Sequence, residues 1–113
     1  MTLDDLKKYG ADVEDGLRRC MDNEDFYLKM IGMALEGENL QKLDSLESKL
    51  GKKDMDGAFE VAHALKGVFG NLALTPIYEP LSELTEKLRD KSDADYGDLM
   101  DRVKKEMERL KSL

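Results

Sequence analysis

The sequence predicts an all-α protein, an antiparallel up-down four-helix bundle with short N-terminal helices covering one end. Three observations predict it. Every long stretch carries apolar residues at helical spacing. Leu, Glu, Lys, Asp and Met dominate, β-branched residues are few, and aromatics make up only 6% with no Trp, which disfavours a β-rich fold. The links between the later periodic stretches are short, which favours antiparallel neighbours. At 113 residues the chain is sized for a single domain with one modest core. Within it, residues 1–37 read as covering helices and 38–113 as the bundle.

The elements follow in order. Thr2 to Lys8 forms a short helix, with Thr2 as N-cap and Gly10 as its stop. A second short helix from about Asp12 to Met21 places Val13, Leu17 and Cys20 or Met21 on one side. Asn23 caps a third that carries Phe26, Met30, Met33 and Ala34, and Gly37 weakens or ends it. The first bundle helix runs from about Asn39 to Leu50, with Leu40, Leu43, Leu46 and Leu50 on one stripe and Gly51 suited to the C′ position. The second runs from Asp54 or Asp56 to Leu72. The third starts near Thr75 and Pro76, or at Pro80, and ends near Arg89, with Leu81, Leu84 and Leu88 inward. Pro76 fits the first helical position after a Thr cap, but Pro80 then lacks a backbone hydrogen bond. The fourth begins near Asp93 or Asp95 and buries Tyr96, Leu99, Met100, Val103, Met107 and Leu110. The methionines Met21, Met30, Met33, Met100 and Met107 read as core fillers.

Composition narrows the function. Hydrophobic residues at 41% beside charged residues at 38% suit amphipathic helices rather than a disordered chain. The net charge of -7 leaves no basic run to displace counterions from nucleic acid, and it disfavours an anionic membrane surface. Cys20 is alone, which leaves neither a disulfide framework nor a metal cluster, and it reads as a buried small hydrophobe. No apolar run reaches membrane-span length and no signal-peptide pattern opens the chain, so the expected compartment is the cytoplasm.

The single histidine, His63, lies on the second bundle helix. At about 100° per residue, Ala58, Val61, Ala62, Leu65, Val68, Phe69 and Leu72 cluster on the core arc. Asp56, Phe59, Glu60, His63, Lys66, Gly67 and Gly70 fall on the opposite arc. The imidazole therefore points outward. Each glycine inside a helix costs roughly 0.5–1 kcal/mol relative to Ala. Two of them on the histidine stripe break a local rule without a folding gain, and such violations often mark function. Bare backbone at Gly67 and Gly70 would let a partner's backbone or a tetrahedral anion approach the ring, with Phe59 and Glu60 on the same docking face. Lys66, at i+3, can supply positive charge to an anion carried by the histidine. Near neutral pH a histidine without special partners is mostly in its neutral, nucleophilic form. That combination suits accepting a phosphoryl group, a reaction in which positioning and charge neutralisation do most of the work. A metal site lacks a second His, a Ser-His-Asp hydrolase lacks a nucleophile elbow, and an autokinase lacks a Gly-rich phosphate loop.

The run Ala62-His-Ala-Leu-Lys-Gly67, followed by Asn71-Leu72, resembles the signature of histidine-containing phosphotransfer (HPt) domains. The upstream runs Asp12–Arg19 and Asn23–Leu28 look like the leader that precedes the bundle in many bacterial members. The resemblance implies that His63 is phosphorylated through Nε2, that Lys66 steadies the phosphoryl group and that Gly67 makes room for the partner. Gly70 has no task in the signature. Ala73 stands where the family usually has Gly, which bears on the chain path into Thr75, and Pro80 is unusual in the following helix.

The implied mechanism is relay. A receiver domain with an aspartyl phosphate and a bound Mg²⁺ docks over the His63 stripe, the imidazole takes the group, and a second receiver removes it. The chain would need no cofactor or metal of its own. It would be a phosphocarrier rather than an enzyme, a monomer standing between a hybrid sensor histidine kinase and a response regulator. Two other readings share the sequence features. One is a helical docking module that binds receivers or kinases without taking phosphate, and the other is a plain structural bundle, which leaves the two glycines unexplained.

Overall fold

The computed structural model describes residues 1–92 and 95–113. The described residues form seven α-helices and no β-strand. They are α1 (Leu3–Tyr9), α2 (Val13–Arg19), α3 (Glu24–Ala34), α4 (Glu38–Gly51), α5 (Met55–Asn71), α6 (Thr75–Arg89) and α7 (Tyr96–Lys111). The molecule is elongated, measuring 40 × 22 × 22 Å.

Helix starts follow side-chain chemistry. Thr2 and Asp5 make a reciprocal capping box, with bonds of 3.1 and 3.0 Å that satisfy two backbone donors otherwise left open. Asp12, Asn23, Asp54 and Asp95 each accept from a backbone N–H of the helix they open. Asp95 thus settles the start of α7; the alternative at Asp93 lies outside the described residues. At α6 the cap is Leu74, with no side-chain bond, so Thr75 is the first helical residue rather than the cap. Pro80 lies inside α6, buried, and the helix continues through it despite the missing donor.

Helix ends are less conventional. α5 closes in a Schellman motif: the Ala73 N–H donates to Gly70 O at 3.0 Å and the Leu74 N–H to Phe69 O at 3.1 Å. The motif needs a left-handed residue, and Ala73 provides it at φ 56°. This is the position where the resemblance described above leads to the expectation of Gly. The same turn closes α2 at Met21, α4 at Lys53 and α6 at Lys91, all with positive φ. Gly51, expected at the C′ position of α4, is instead its last helical residue, and the left-handed turn falls at Lys53. A left-handed L-residue costs about 1–2 kcal/mol, while a glycine loosens the unfolded chain by about 0.4–1 kcal/mol. Ala73→Gly is therefore expected to raise unfolding free energy by about 0.5–1 kcal/mol, read as a higher urea midpoint at unchanged slope.

Side chains from all seven helices join one continuous buried cluster. α5 packs between α4 and α6, and α6 packs against α7. Ala58, Ala62, Leu65 and Phe69 of α5 are fully buried. Sealing side chains the size of Leu65 and Phe69 from water contributes about 1.5–3 kcal/mol each. Val61 and Val68, expected on the same arc, are only partly buried at its flanks.

The N-terminal helices attach through named contacts. The Tyr27 hydroxyl donates to Leu72 O at 2.8 Å inside the core. Burial, then the nearby Cys20, Asp12 and Asp15, push the Tyr27 phenol up to about 12. Gly16 is buried against the Tyr27 ring, with no room for even a methyl group. Arg109 of α7 lies over the Tyr9 ring at 4.7 Å and donates to Tyr9 O at 3.3 Å. These contacts correct the expected inward stripe of α3. Tyr27, Ile31 and Ala34 are buried, while Phe26 and Met33 are 40% and 58% exposed. Met21, held in the left-handed turn after α2, is 83% exposed. Of the methionines expected in the core, Met100 and Met107 are buried and Met30 is partly so.

Candidate functional site

Because Ala58, Ala62, Leu65 and Phe69 face the core, the opposite side of α5 faces out. His63 and Gly67 are exposed there, and Phe59, Lys66 and Gly70 are partly buried. The Phe59 ring lies one turn before His63 and stacks on the imidazole, with centroids 5.7 Å apart and planes 17° from parallel. The Arg89 guanidinium of α6 sits over the same phenyl ring at 5.4 Å. Phe59 thus supports the histidine while remaining partly exposed.

Lys66 follows His63 by one turn. Its ammonium is 3.9 Å from Glu86 Oε1, too long for a hydrogen bond, while the same oxygen accepts from Arg89 at 2.7 Å. Glu86 is therefore engaged chiefly by Arg89, and Lys66 is loosely held, one turn along the helix from His63. Gly67 has nothing within 4 Å of where a Cβ would stand. Gly70 differs from expectation. A Cβ there would meet the Tyr78 ring of α6 at 3.0 Å, so this glycine seats a tyrosine of the chain itself. Glu60 is exposed, on the turn before His63, and does not line the hollow described next.

A depression of about 510 Å³ begins at His63 and Lys66 and runs over Gly67 and Gly70 to Asn71 at the end of α5. The start of α6 forms one wall through Thr75, Tyr78 and Glu79, and α2 forms the other through Asp12, Asp15 and Arg19. Hydrogen bonds hold α2 in place: Arg19 donates to Asn71 Oδ1 at 3.4 Å and the Asp12 N–H to Ala73 O at 2.9 Å. No group of three His, Cys, Asp or Glu side chains among the described residues is placed to hold a metal ion. The arrangement offers one exposed imidazole backed by an aromatic ring, a loosely held cation one turn away, and open space beyond. It can present a nucleophilic nitrogen to a partner.

Arg89, Glu86, Tyr78 and the α2 wall were not legible in the sequence, since helical periodicity on one helix does not say which residues of another lie over it.

The sequence model of the Hpt domain family matches residues 31–113, well over half of the chain. The chain belongs to the Hpt domain family. Hpt domains are histidine phosphotransfer carriers of phosphorelays, without kinase activity of their own. The match begins within α3, so α1 and α2, including one wall of the depression in this Hpt chain, lie outside it. No curated protein and no solved structure matches the chain significantly. No helix of the described residues is long and apolar enough to cross a membrane.

Proposed function

We propose that this chain carries a phosphoryl group on His63, taking it from the aspartyl phosphate of one receiver domain and passing it to another. The observation that carries the reading is the placement of His63: exposed, stacked on Phe59, with Lys66 one turn along and Gly67 open. In the forward step, the Nε2 lone pair of the neutral ring attacks phosphorus in line. The bond from phosphorus to the aspartyl oxygen breaks, and the carboxylate leaves with its electron pair. Nδ1 keeps its proton, so the ring becomes a phosphorylated imidazolium. The reverse step on a second receiver restores the neutral ring. A Mg²⁺ held by the receiver would neutralise charge on the transferring group, and the step would draw on no metal or cofactor of this chain. Its own part is to orient the imidazole through Phe59 and to bring Lys66 onto the phosphoryl oxygens.

A hybrid sensor histidine kinase and a response regulator are the partners this reading assigns, with the chain acting as a cytoplasmic monomer. It also assigns α4–α7 to an antiparallel up-down bundle, with residues 1–37 covering one end. Supporting that, the end of α5 through Leu72, the start of α6 through Pro76 and the end of α7 through Arg109 all meet the N-terminal helices. Lys104 of α7 also reaches back to Glu47 of α4 at 2.8 Å.

The test is incubation with a phosphorylated receiver. An acid-labile, base-stable label on the chain is expected; a docking module would bind the receiver and take no label. Lys66→Ala is expected to slow transfer by roughly 10- to 100-fold, the loss of a charge-assisted contact to the phosphoryl group. Lys66→Arg should retain most of the rate, and equal rates for all three proteins would remove Lys66 from the mechanism.

A further inference from the structure

α2 lies outside the stretch that matches the family, yet it walls the depression that begins at His63. Asn71, which Arg19 of α2 contacts, is eight residues beyond His63 on the same helix, so the hollow extends about 12 Å along α5. That length fits three or four extended residues of a docking segment. Its two ends differ in charge. Lys66 makes the histidine end positive. At the far end Asp12, Asp15 and Glu79 meet one cation, Arg19, whose guanidinium is already bonded to Asp15 at 3.0 Å. Asp12 and Glu79 make no ion pair among the described residues.

We propose that this far end is a docking subsite for a basic side chain of the partner receiver domain, and that α2 thereby takes part in choosing the partner. The inference rests on the reading of His63 as the phosphoacceptor. Two carboxylates without a counter-ion, lining the same depression as the reacting nitrogen, would draw in a Lys or Arg of the docking surface and repel an acidic one. Such rim charges act on encounter and register more than on the chemical step.

The test uses the full chain and the receiver domain, charged with acetyl phosphate, that labels it fastest. Asp12→Asn keeps a side chain of equal capping quality, and Glu79→Gln keeps size at an exposed position. The double variant is expected to raise KM for the charged receiver by about fivefold to tenfold and to flatten its dependence on salt. KM and salt dependence both equal to wild type would overturn the proposal. Should the double variant lose helix by circular dichroism, Glu79→Gln alone carries the same test with a shift of roughly twofold to threefold, and an unchanged KM there overturns it. A wild-type chain that takes no phosphate from any receiver overturns the phosphoacceptor reading itself. A labelled wild type with an indifferent variant overturns only the subsite.

Discussion

His63→Gln is expected to take up no phosphate from any charged receiver while keeping its helix content and unfolding midpoint close to wild type. The two halves of this result have different origins. The chain has one histidine, and no other imidazole can accept the group in its place. The fold is spared because His63 is exposed and makes no hydrogen bond among the described residues, its ring contact being the stack on Phe59. Glutamine is a good helix former of similar reach, so the substitution removes the nucleophile with a structural change within about 0.5 kcal/mol. Transfer assays beside a urea titration check both halves. Residual label on the variant would move the acceptor elsewhere.

Gly67→Arg should reduce transfer by at least ~100-fold, since small displacements of reacting groups carry costs of that size. Here too the fold is expected to survive. Gly67 sits in the interior of α5 with open space where a side chain would begin, and replacing an interior helical glycine stabilises by up to about 1 kcal/mol. An arginine rising from that position would stand one turn past His63, in the path of a docking partner. Gly67→Ala separates bulk from helix propensity: it should gain the stability and keep most of the rate. Wild-type transfer by Gly67→Arg would show that the partner does not approach over this side of the helix.

What the sequence revealed and what it hid follow one physical division. Local chemistry was legible. Thr2, Asp12, Asn23, Asp54 and Asp95 cap helices because their side chains reach N–H groups two or three residues away, a distance written in the sequence itself. The outward direction of His63 was legible because Ala58, Ala62, Leu65 and Phe69 define an unambiguous buried arc. Features decided by another helix were not. On α3 two stripes compete, Phe26–Met30–Met33 and Tyr27–Ile31–Ala34, and both have helical spacing. The second is buried because Tyr27 packs on Gly16 and bonds Leu72 O, contacts that span 11 and 45 residues. Gly70 looked like clearance for a partner because its neighbour Tyr78 arrives from α6. The left-handed ends at Met21, Lys53, Ala73 and Lys91 carry no glycine to announce them; the Schellman bonds and the packing beyond each helix hold them.

The phosphoryl group is expected to reside on His63 and on no other residue. The measurement that tests this most directly is fragment mapping by mass spectrometry, under alkaline conditions, of the wild-type chain after reaction with a charged receiver. One added phosphoryl group on the fragment that contains His63, lost on mild acid treatment, is the expected result. No added phosphate, or phosphate on a fragment without His63, would contradict the account.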